Sequence, residues 1–120
     1  MSKESHICNV AAVQMVSSDS VESNLEIMSE QVKLAASKGA KLVVLPEYFA
    51  FMGTSETEKL RWAELDHRDS RDNAQEIQSA LSQVAKKNDV WLIGGTCSIF
   101  AKARNKVFNA MFVFDQEGNR

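Results

Sequence analysis

The sequence predicts an α/β domain built on a parallel sheet, and three observations predict it. Two apolar runs, Ile7–Met15 and Lys41–Leu45, flank a segment whose apolar residues recur at helical spacing. That order and spacing belong to a right-handed βαβ unit with parallel strands. A second helical stripe after a long loop leads into two further apolar runs, Val90–Ile93 and Val107–Phe114. The resulting order of βαβ unit, loop, then αββ gives a layer with helices over one sheet face.

Each element has its own local signal. Ile7–Met15 is apolar enough to be buried on both faces. In the loop Ser17–Ser20, Asp19 or Ser20 is suited to cap the following helix, with Glu22 in reach of a capping box. Leu25, Met28, Val32, Ala35 and Ala36 form that helix's buried face, and Gly39 ends it by adopting the left-handed conformation. Residues 50–71 lack clean periodicity, although 56–64 fit a short helix. A connection this long is usually functional or disordered, and Phe51 and Trp62 argue against disorder. It forms either a wall over a pocket or packing along a sheet edge, and Asp66–Asp69 reads as a solvated charged turn.

Asp72, with Gln75 in the reciprocal position, caps the second long helix. Its stripe is Ile77, Ala80, Leu81, Val84 and Ala85, and Lys86 and Lys87 suit the negative end of its dipole. Gly94-Gly95 after the third strand suits a turn needing positive φ, or a close approach of backbone or ligand. Residues 99–106 read as a polar, basic connection, and Asp115–Asn119 as a hairpin turn. Such a turn needs a second strand, and Arg120 alone follows it in the sequence. The chain is therefore expected to be an incomplete domain over residues 1–120.

Composition narrows the function classes. A length of 120 residues suits one modest domain, and 44% apolar with 25% charged residues is ordinary for a globular protein. A net charge of −2 gives no electrostatic case for nucleic acid. No polybasic stretch or apolar span points to a membrane, and the polar Met1–His6 segment is no signal peptide, so a cytoplasmic location is expected. Cys8 and Cys97 make no disulfide framework and read as small apolar residues at buried strands or strand ends. His6 and His67 lack the spacing of a zinc site, and neither a Walker pattern nor GxGxxG is present.

The chemistry concentrates in Leu42-Val43-Val44-Leu45-Pro46-Glu47-Tyr48-Phe49. The sole proline marks where the strand leaves its sheet, and Glu47 follows at once. Ligands of open parallel sheets bind at the carboxyl ends of strands, where this acid sits. Tyr48 and Phe49 offer apolar walls of the kind that tune a general acid/base; one is expected to face a pocket and the other to pack in the core. On these eight residues alone, a surface glutamate capping a loop is as good a reading.

The wider order of landmarks favours the chemical reading. Ala11–Met15, Lys38-Gly39-Ala40-Lys41 before Leu42–Glu47, Val90–Gly95, Val107–Ala110 and Asp115–Asn119 follow one another along nearly the whole chain. In that order the chain resembles the N-terminal part of the nitrilase, or carbon–nitrogen hydrolase, superfamily. The resemblance implies an αββα sandwich and cleavage of small-molecule amide bonds through a cysteine thioester, with Glu47 as general base and no metal or organic cofactor. It implies a lysine after the strand ending at Phe114, and a cysteine after a later strand. Lys102, Lys106, Cys8 and Cys97 do not match those positions. These residues by themselves are therefore expected to be inactive, and activity to belong to the full-length protein. The motif context looks more like the amidase branches acting on small ω-amide acids or deaminated glutathione than like true nitrilases or N-carbamoyl amidohydrolases, and it favours deaminated-glutathione amidase. Family members often form homo-oligomers. The competing class, if the chain ends at Arg120, is a non-catalytic half-domain, either a binding module or an inactive remnant. A phosphoacceptor receiver is disfavoured because Gln14-Met15-Val16 stands where its acidic cluster belongs.

Overall fold

Residues 6–66, 76–102 and 105–120 are described by the computed structural model. The strands are β1 (Val10–Ala12), β2 (Leu42–Val44), β3 (Trp91–Ile93), β4 (Cys97–Phe100), β5 (Val107–Ala110) and β6 (Val113–Phe114). The helices are α1 (Val21–Ser37), α2 (Glu58–Arg61) and α3 (Glu76–Asn88). A four-stranded sheet has the order β1-β2-β3-β6, with the first three strands parallel and β6 antiparallel to β3. β4 and β5 form a separate antiparallel pair.

Strand alternation decides which side chains meet the helices. Ala11, Val43, Leu92 and Phe114 lie in one register row, and the last three are fully buried. They join Met28 and Val32 of α1 and Leu81 and Ala85 of α3 in the core. The helical stripes expected from spacing are therefore the faces that pack.

Ser20 caps α1, its Oγ accepting from the Ser23 amide at 3.2 Å. That choice puts Glu22 one residue short of a capping box, although it still complements the helix dipole. At the other end, Gly39 takes φ 93°, while the Gly39 and Ala40 amides donate to Ala36 and Ala35 carbonyls. This is the paired closure that a left-handed glycine permits. Residues 67–75, with the expected Asp72–Gln75 cap and most of the charged turn, lie outside the described residues.

Four expectations need correction. β1 is an edge strand rather than one buried on both faces: Val10 is 64% exposed and Ile7 82%. Cys8, lying before the ladder begins, is correspondingly exposed, whereas Cys97 is buried as expected. The connection expected over 99–106 starts later, because Ile99 and Phe100 belong to β4 and pair with Phe108 and Val107. Val107–Phe114 is two strands: β5 pairs with β4, and after Met111-Phe112 the chain crosses to pair with β3. The Gly94 amide donates to the Phe112 carbonyl at 2.8 Å, which secures that crossing. Asp115–Asn119 is a turn as expected, with Gly118 at φ 82°. No helix among the described residues is long and apolar enough to cross a membrane.

Candidate active site

Leu45 makes the last ladder contact of its strand, its amide donating to the Ile93 carbonyl at 2.9 Å. Pro46 cannot donate, so the chain leaves the sheet there and places Glu47 at the carboxyl end of β2. The turn that follows is pinned from three sides. The Tyr48 amide donates to Thr96 Oγ1 at 2.9 Å, and Ser17 Oγ donates to the Phe49 carbonyl at 2.7 Å. Gly95, at φ 58°, lies so close that a Cβ there would sit 2.2 Å from the Pro46 carbonyl oxygen. Gly94-Gly95 thus serves both purposes expected of it, a positive-φ turn and a close approach.

Asn24 ties the next stretch down. Its side chain is fully buried, donating to the Ser18 and Ala50 carbonyls at 2.8 and 2.9 Å while accepting from the Ser18 amide. The loop before α1 and the segment after Glu47 are thereby one hydrogen-bonded unit. A polar residue inside an amphipathic stripe was the available signal, but spacing alone does not name its partners.

The Glu47 carboxylate is exposed, and its Oε1 accepts from Asn109 Nδ2 at 2.8 Å. Asn109 lies on β5 opposite Ser98, so the small second sheet delivers it across 62 positions of sequence. Tyr48 is half-buried at φ 53°, and Lys59 Nζ stands 5.1 Å from its ring centroid. Phe49 is fully buried in the core. Of the two aromatics named as pocket candidates, Tyr48 therefore lines the adjoining cleft and Phe49 supports the turn from behind.

That cleft, of about 250 Å³, is lined by Tyr48, Phe51, Met52, Glu56 and Lys59 among others. Lys59 bonds Glu56 at 3.2 Å, and this bond raises its pKa. Phe51 and Trp62 pack with ring centroids 6.1 Å apart. The long connection also runs along a sheet edge, since the Glu64 amide donates to the Ser98 carbonyl and the Glu64 carbonyl accepts from Phe100. Wall and edge packing are both present in one segment.

Glu64 is a second acid that periodicity could not single out. It is 7% exposed, and its carboxyl accepts from the Ile77 and Gln78 amides at 2.5 and 3.0 Å, at the start of α3. Burial raises its pKa against the opposing pull of those bonds. Cys97 nearby is pushed up to about 12, first by burial and then by the Glu64 charge. A thiol so disfavoured as thiolate is a poor nucleophile at neutral pH. Among the described residues no cluster of three or more His, Cys, Asp or Glu is placed to hold a metal ion.

Glu47 is an exposed carboxylate at the carboxyl end of a central parallel strand, the end of an open α/β sheet where ligands bind. The sequence profile of the carbon-nitrogen hydrolase family matches residues 9–120. The chain belongs to that family. It is 31% identical over 119 residues to nitrilase homolog 2 of Dictyostelium discoideum, covering 98% of this chain and 34% of that protein. It is 51% identical over 53 residues to a deaminated glutathione amidase of Synechocystis, covering 44% of this chain and 19% of that protein. The crystal structure of Saccharomyces cerevisiae Nit3, a member of branch 10 of the nitrilase superfamily, superposes with a TM-score of 0.78 at 25% identity. That match covers 92% of this chain and 40% of Nit3. The chain thus spans about a third of the first of these relatives and less than half of the others.

Proposed function

We propose that Glu47 is the general base of a cysteine-dependent amidase that hydrolyses carbon–nitrogen bonds in small molecules. The observation that carries this reading is the placement of Glu47: a carboxylate at the carboxyl end of β2, open to solvent and held, among the described residues, by one neutral donor. Family membership supplies the reaction class.

In this mechanism a cysteine thiol gives its proton to Glu47 and attacks the amide carbonyl as thiolate. A lysine stabilises the oxyanion of the tetrahedral intermediate. Glu47 returns the proton to the departing ammonia or amine, leaving a thioester. Glu47 then activates water, which releases the acid and restores the thiol. The chain offers no cysteine or lysine at the positions that the resemblance assigns to these roles, so the reading is of a protein in which this segment is joined to both. The similarity to a deaminated glutathione amidase supports deaminated glutathione as substrate.

Glu47→Gln in the full-length protein keeps the side chain's shape and removes its capacity to take a proton. Turnover of deaminated glutathione is expected to fall by at least about 10²-fold, the low end for general-base catalysis, with an unchanged thermal midpoint. Near-normal turnover in this variant would sink the assignment.

A further inference from the structure

We propose that Asn109 is the positioning residue for the Glu47 carboxylate. The inference rests on the reading of Glu47 as base and extends it to a residue on another sheet. An ionised carboxylate only accepts hydrogen bonds, so the Asn109 amide must present N–H to it, and Nδ2 lies 2.8 Å from Oε1. Both side chains are exposed. A single exposed bond of this kind adds little to stability. Its consequence is geometric: it fixes one carboxylate oxygen and leaves Oε2, unengaged by any described residue, to exchange protons.

The identity of the donor matters. A lysine or arginine at this position would set a positive charge beside a group that must accept and release a proton. An amide orients without adding charge. Its own carrier is firm, because β5 is paired with β4 over four residues and Ala110 lies opposite the buried Cys97. The arrangement therefore couples the aim of the base to the docking of the β4–β5 pair against the β2 terminus.

A double-mutant cycle on the full-length protein tests this. Asn109→Ala is expected to lower kcat by roughly 10- to 100-fold, the range of a hydrogen bond to a charged group, with KM changed by less than about twofold. Asn109→Asp keeps the size but replaces donor by acceptor, and should lose at least as much. In the Glu47→Gln background the Asn109→Ala loss should shrink to less than about twofold, because the group it positions is gone. A loss that persists at full size in that background overturns the proposal, as does an unchanged kcat in either Asn109 variant. Full activity of Glu47→Gln alone is a different result: it removes the general base and, with it, the residue Asn109 would position.

Discussion

Gly95 and Tyr48 adopt positive φ on opposite sides of the turn that presents Glu47, and only one of them is glycine. Tyr48 tolerates the conformation because its amide is bonded to Thr96 and its ring lies beside Lys59. Gly95 has no such latitude, since a Cβ would strike the Pro46 carbonyl and the Phe49 ring. Gly95→Ala is expected to cost roughly 2–4 kcal/mol, a left-handed penalty plus overpacking, read as a lower urea midpoint at constant slope. The two thiols make a second test at this scale. Exposed Cys8 should react with a maleimide in the native state, whereas Cys97, buried and held protonated up to about pH 12, should react only on unfolding. Equal labelling of both would show that the region around Cys97 opens readily. Glu47 was legible because the proline that ends its strand is adjacent in sequence. Asn109 lies within the landmark Val107–Ala110, but nothing local reveals a partner 62 residues away.

The elements were legible to the degree that their signals are local. The Gly39 closure of α1 depends on residues within one turn, and Gly39 takes the left-handed conformation expected of it. The division of Val107–Phe114 depends on which sheet each half joins, and an apolar run looks the same either way. The start of α3 shows a related limit, for its first described amides are satisfied by Glu64 from the preceding loop. Removing that acceptor by Glu64→Ala should cost about 1–3 kcal/mol, the penalty for buried donors left unpaired, measured by urea unfolding. The sign of the pH effect follows from the raised folded-state pKa. Stability from this group is fully present below the unfolded carboxylate value and is lost as pH rises through the raised one. The Glu64→Ala variant should therefore show a flatter decline in stability as pH rises above the ordinary carboxylate range. Parallel stability curves for variant and wild type would contradict the burial argument.

The helices cover one face of the main sheet, and among the described residues the other face is apolar and largely uncovered. Val10, Leu42 and Trp91 lie in one register row, and Ala12, Val44, Ile93 and Val113 in the next but one. Of these, Val10, Trp91 and Val113 are 64%, 48% and 43% exposed. A parallel sheet normally has both faces covered, and a contiguous apolar surface on a sheet signals something that packs on it. The αββα sandwich of the family resemblance supplies a natural cover, a second sheet stacked face to face on this one. On that basis Trp91→Lys in the full-length protein should cost at least about 2 kcal/mol, as for a large apolar side chain lost from a core. Val16→Lys, at a residue 92% exposed beyond the strand, supplies the control and should change stability by less than about 0.5 kcal/mol. Thermal melts of the two variants decide the matter. A clear drop for Trp91→Lys alone means the face is buried in the full-length protein, with Glu47 at the rim of a two-sheet core. Equal melts mean the face stays open to solvent, and the sandwich does not extend over β3.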